Sequence, residues 1–64
     1  MMRRFALGQT WITTDGALRG KVTQIGDHGR TGVVLVIGRG GDWTQYNGTA
    51  AGFQGFGCWH LLSL

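Results

Sequence analysis

Proline is missing from this chain of 64 residues, and cysteine and serine occur once each, as Cys58 and Ser63. A single cysteine excludes an internal disulfide. Cys58 therefore suits a reducing compartment, where it acts as a small buried apolar residue. Ser63 stands one residue from the terminus, a poor place for a catalytic nucleophile. Acidic side chains are scarce: Asp15, Asp27 and Asp42 face six Lys and Arg, for a formal net charge of +3. Each Asp lies in or beside a turn signal, where Asp commonly bonds its own backbone. No pair of carboxylates is placed for acid–base chemistry. Long apolar runs are also lacking. The longest, Val33 to Ile37, falls far short of the roughly 20 residues a membrane-crossing helix needs. Arg3-Arg4 is followed only by Phe5-Ala6-Leu7, too short for the apolar region of a secretory signal. These absences predict a cytoplasmic, non-enzymatic protein that uses no cofactor and meets no membrane.

Glycine is abundant, with 13 residues, about three times the average usage of ~7%. At that density it opposes helices, because glycine loses the most backbone entropy on folding. It suits tight turns between short strands. The apolar content still permits a core, so the chain is expected to fold as one domain over residues 1–64. So small a core is marginal, and a partner subunit in a homo-oligomer would supplement it.

Read along its length, the chain alternates strand and turn. Met1 to Leu7 is a lead-in that packs an edge or frays. Gly8 to Thr13 is a strand with Trp11 on one face and Thr10 and Ile12 on the other. Asp15-Gly16 marks a turn. Leu18 to Ile25 is the second strand: Leu18, Gly20 and Val22 share one face, and Arg19, Lys21 and Thr23 the other. Ile25 falls out of phase with Val22, which predicts a bulge near Thr23-Gln24. Gly26 to Gly32 is a polar loop. Val33 to Ile37 is a third strand, apolar on both faces and therefore expected to be covered on both. Gly38 to Gly41 turns into a fourth strand, Asp42 to Asn47. Gly48 to Gly57 reads as a loose loop, and Cys58 to Leu62 as a closing strand or helical turn. Five short strands joined by tight turns predict an all-β, small five-stranded barrel.

The stretch from Gly8 to Arg39 resembles a KOW-type SH3-like domain. The matching pieces are Gly8, Asp15-Gly16, Gly20-Lys21-Val22 with Ile25, Val33 to Ile37, and Gly38-Arg39. Gln9 replaces the usual acidic residue, Ala17 to Arg19 is short, and nothing from Gly48 onward matches. The resemblance implies an SH3-like barrel and, as partners, nucleic acid or a nucleic-acid-handling protein. The Gly-led Trp strand with its Asp-Gly turn is also similar to small uncharacterised phage and prophage proteins. That likeness suggests an accessory module binding another protein. Asp15-Gly16-Ala17, Gly20 and Gln45-Tyr46 loosely resemble type II dihydrofolate reductases, which would imply an oligomer with a pore-type site. The Ile between the Gln and Tyr of that family is missing here.

The candidate nucleic-acid-binding residues are Arg19, Lys21, Arg30, Arg39, Trp43 and Tyr46. The basic side chains would pair with phosphates; alternatively they form a solvated polar face. Trp43 or Tyr46 would stack on unpaired bases, but they alternate in direction along a strand, so one of them belongs to the core. Trp11, Phe53, Phe56 and Trp59 read as core or subunit interface. Cys58 and His60 are two residues apart, with His28 in a distant loop, too few ligands for a zinc site. Gly38-Arg39-Gly40-Gly41 reads as a hairpin turn, because the Lys-Ser/Thr of a phosphate-binding loop is absent.

Overall fold

A computed structural model describes residues 3–63, so Met1 and Met2 of the expected lead-in lie outside the described residues, as does Leu64. Five strands alternate with turns: β1 (Thr10–Thr13), β2 (Leu18–Gly26), β3 (Thr31–Gly38), β4 (Trp43–Thr49) and β5 (Trp59–Ser63). One short helix, α1 (Ala50–Gly55), joins β4 to β5. Every pairing is antiparallel, and the order across the sheet is β4-β3-β2-β1-β5. Among the described residues the domain is all-β with one short α-helix and one 3-10 turn, Asp27–Gly29, within the expected loop between β2 and β3. Its sheet is not closed into the expected barrel: β4 and β5 are the edges, and no ladder joins them among the described residues. The gap is bridged by side chains. Phe53 of α1 lies with its ring centroid 5.2 Å from Tyr46 of β4 and 4.6 Å from Trp59 of β5.

Strand periodicity decides what lies inside. In β1, Trp11 and Thr13 are buried while Thr10 and Ile12 alternate outward. In β2, Gly20 and Val22 are buried, and in β3 so are Gly32, Val34 and Val36. The register of β2 against β3 shifts between Val22 and Gln24, at the bulge the out-of-phase Ile25 requires. Gly20 sits where a Cβ would meet Val34 Cγ1 at 2.8 Å, so only glycine lets the core close over β2 there.

The core gathers Phe5, Trp11, Val22, Val34, Val36, Ala50 and Phe53, with Tyr46, Trp59 and Leu61 packed against it. Phe53 is its centre, edge-on to Phe5 and to Trp11 at 5.6 Å and stacked on Trp59. Gln9, though buried, is satisfied: its Oε1 accepts from Ala6 N at 3.2 Å and Trp11 Nε1 at 3.1 Å. A carboxylate at this position, as in the KOW-type pattern, would place a charge inside the core.

Several expectations need correction. Gly48 to Gly57 is not a loose loop. β4 runs on to Thr49, whose side chain caps α1 by accepting from Gly52 N at 2.9 Å. Two glycines in six residues disfavour a helix, but burial of Ala50 and Phe53 outweighs that. The described part of the lead-in, residues 3–7, does more than pack an edge or fray, because Phe5 is in the core and its N donates to Gly29 O at 2.7 Å. Cys58 is half-buried rather than enclosed. Phe56, expected in the core or at a subunit interface, is exposed and so outside the chain's own core, meeting Tyr46 edge-on. Finally, β3 is covered on one face only. Val33 and Leu35 are half-buried and Ile37 is exposed, because the chain spends its apolar residues on a single core.

Candidate nucleic-acid interface

The uncovered face of the sheet is built rung by rung from the strand registers. With Val34 and Val36 turned into the core, the intervening Leu35 and Ile37 point outward. Trp43 stands opposite Ile37 on β4, Arg19 stands opposite Ile37 on β2, and Ile12 stands opposite Arg19 on β1. The next rung along runs Gln45, Leu35, Lys21 and Thr10. An aromatic side chain and a guanidinium thus root on one rung, two strands apart, which is about 10 Å at ordinary strand spacing. Between them lies apolar Ile37. Trp43 is 67% exposed, the most exposed of the large apolar side chains among the described residues.

Turn chemistry brings a third cation to this end of the sheet. Gly41 N donates to Gly38 O and Gly38 N to Asp42 O, closing the hairpin that carries Arg39. Arg39 Nη2 donates to Asp15 O at 3.3 Å, tying that hairpin to the turn between β1 and β2. Arg19 and Arg39 flank a cavity of about 250 Å³ with Ile37 in its wall. A neighbouring cavity of about 350 Å³ has Leu35, Ile37, Trp43 and Gln45 in its wall. Ile37 is shared by both, so the two hollows adjoin along one side chain.

Asp15 holds the turn beneath Arg39. Its carboxylate accepts from Ala17 N at 2.9 Å and from Thr13 Oγ1 at 2.8 Å. These bonds, with the nearby Arg39 charge, hold its carboxyl below the ordinary value of 3.8. A depressed pKa means that this contribution to stability is present above the unfolded value and is lost as pH falls through the folded one. An NMR titration of the Asp15 carboxyl is expected to show a midpoint below 3.8. Thr13→Val should raise that midpoint more than Arg39→Gln does, because the hydrogen bond outweighs the more distant charge.

The structure brings together Arg19, Lys21, Arg39 and Trp43, and separates Tyr46 and Arg30 from them. Tyr46 opposes buried Val34, packs on Phe53 and donates its hydroxyl to Thr49 O at 2.7 Å. It belongs to the core side of β4, so no base can share a platform of Trp43 and Tyr46. Gln45 and Tyr46 likewise point to opposite sides of the strand. Arg30 precedes β3 while Arg39 follows it, which places them roughly 25 Å apart along an eight-residue strand. Leu35 and Ile37 are expected from the sequence only as part of a strand covered on both faces, yet they form the floor between the aromatic and the cations. His60 Nε2 lies 2.8 Å from the Thr14 hydroxyl, an exposed contact between β5 and the first turn. Among the described residues no three His, Cys, Asp or Glu side chains gather where a metal could be held. No helix among them is long and apolar enough to cross a membrane. Compared with protein families, curated proteins and solved structures, the chain matches none.

Proposed function

We propose that this chain is a non-enzymatic binding module that takes single-stranded nucleic acid on the outer face of β2, β3 and β4. The observation that carries this reading is the exposed indole of Trp43 on the same rung as Arg19. An unpaired base stacks on the indole, and the adjoining backbone phosphates meet Arg19, Lys21 and Arg39. Stacking tolerates any base, so the expected preference is for single strands over duplex and for no particular sequence. The strand order and the bulge in β2 suit an SH3-like architecture, in which an open sheet face of this kind is free for a ligand.

Binding of oligothymidylate and oligouridylate across a salt series tests the reading. Three phosphate-pairing cations predict a log–log slope of about −2 for a single strand. Arg19→Gln should reduce the slope by less than one and weaken binding to both polymers alike. Affinity that stays undetectable at low salt would remove the nucleic-acid reading. A second reading takes the same face as a protein-docking surface, favoured by the contiguous exposure of Ile37 and Trp43. It predicts binding that salt hardly affects.

A further inference from the structure

We propose that Arg3, Arg4 and Arg30 form a second anion site, for a phosphate monoester, at the end of the sheet remote from Trp43. Those three arginines, with Thr49, Ala50 and Ala51, line an open groove of about 320 Å³. That is near the lower end of the range for small-ligand pockets. Among the described residues, none lining it is acidic, and Asp27, the nearest acid along the chain, is not in its wall. The site goes beyond the nucleic-acid face, because it lies at the other end of the sheet and shares no residue with it.

The arginines come from two separate stretches of chain, and backbone contacts fix their roots. Arg3 N donates to Gln54 Oε1 at 2.9 Å, and Gln54 Nε2 donates back to Arg3 O. Phe5 N donates to Gly29 O, and Phe5 itself is anchored in the core. Ala50 N donates to Arg30 O at 2.7 Å, holding the start of β3 against α1. Arg4 spends one guanidinium N–H on His28 O at 3.3 Å, which orients its head and leaves its other donors. Roots held in this way lower the entropy lost when the heads converge on a ligand.

Chemistry selects the monoester. A guanidinium presents paired N–H groups that match two oxygens at once. A phosphate monoester offers three unesterified oxygens and close to two negative charges, whereas a diester offers two oxygens and one charge. Three arginines lining one groove carry the charge and the paired donors to match the former once their heads turn onto it. The ester group would rest against the exposed methyl group of Ala51.

The test uses the full chain and amide NMR, with thymidine 5′-monophosphate and inorganic phosphate as probes and thymidine as the control. Both phosphates are expected to shift the amides of residues 3–5, 28–31 and 49–51 and to leave those around Arg39 in place; thymidine should shift none. Arg30→Gln and Arg3→Gln should each weaken the phosphates about tenfold, the loss expected for a charge-assisted bond. Arg39→Gln should leave the phosphate-induced shifts at residues 3–5, 28–31 and 49–51 unaltered. Equal shifts at every arginine, or unchanged affinity in both pocket variants, would overturn the site. Competition then separates the sources of the group. Displacement by a 5′-phosphorylated oligonucleotide but not its 5′-hydroxyl form assigns the site to strand ends, and displacement by the mononucleotide alone assigns it to a free phosphomonoester. Equal displacement by the 5′-hydroxyl form would show diester binding and refute the monoester. The Trp43 face can fail its own salt test without altering any of these outcomes.

Discussion

Phe53→Ala is expected to leave the chain largely unfolded at physiological temperature. The phenyl ring is 1% exposed and touches Phe5, Trp11, Tyr46 and Trp59, so it joins the lead-in, β1, β4 and β5 through one side chain. Removing a buried phenyl typically costs about 3–5 kcal/mol. A domain of this size has roughly 3–10 kcal/mol in total. Among the described residues no ladder joins the sheet edges β4 and β5, so backbone pairing there does not span the cavity left behind. Urea unfolding followed by circular dichroism should show a midpoint near zero denaturant, or a thermal midpoint lowered by roughly 20 °C. A variant that unfolds cooperatively near the parent midpoint would mean that Phe53 is not the hub of this core. Phe53→Leu, which keeps most of the volume, should recover much of the loss.

Gly29→Ala is expected to cost about 2–4 kcal/mol, because strain and overpacking add there. Gly29 has φ +89°, a conformation that side chains rarely adopt. An added Cβ would also fall on the backbone oxygen of Phe5, which cannot swing aside because Phe5 N is bonded to Gly29 O. Relief therefore requires the lead-in to detach, pulling the Phe5 ring out of the core. The measurable consequence is a lower unfolding midpoint together with faster amide exchange at Phe5 and Ala6. Gly41→Ala, at φ +86° but with open space around its Cβ position, provides the contrast: strain without collision, and a smaller loss. Equal losses at the two positions would show that contact with Phe5 contributes nothing.

The parts of this fold that were legible in the sequence are those where pattern has a phase. Trp11 between Thr10 and Ile12 could face only one way, and the broken phase between Val22 and Ile25 required the bulge found at Thr23. The Asp15-Gly16 turn was legible because its chemistry is local. Val33 to Ile37 is apolar at every position, so it has no phase of its own, and β4 takes its phase from β3. That is why period-two alternation separated Trp43 from Tyr46 but could not say which faced water. The register opposite Val34 decides it. Helix α1 escaped notice because its glycines argue against it and its support is tertiary, from Phe53. The one local signal was Thr49 ahead of Ala50-Ala51, a capping residue before helix-forming ones. Arg3 and Arg4 could be weighed in the sequence only as the start of a secretory signal, since nothing near them reveals that Phe5 pins them beside Arg30.

The proposed binding face depends on Trp43 more than on any cation, because phosphate pairing alone would be available on many basic surfaces. The decisive measurement is the affinity of the Trp43→Ala protein for oligothymidylate beside that of the parent at the same low salt. Its fold should survive, since the side chain it removes is 67% exposed. A base lost from an aromatic platform costs about 1–3 kcal/mol, so affinity should fall roughly tenfold or more, with the salt slope unchanged. Undiminished affinity in that protein would place the ligand elsewhere on the molecule and contradict the account.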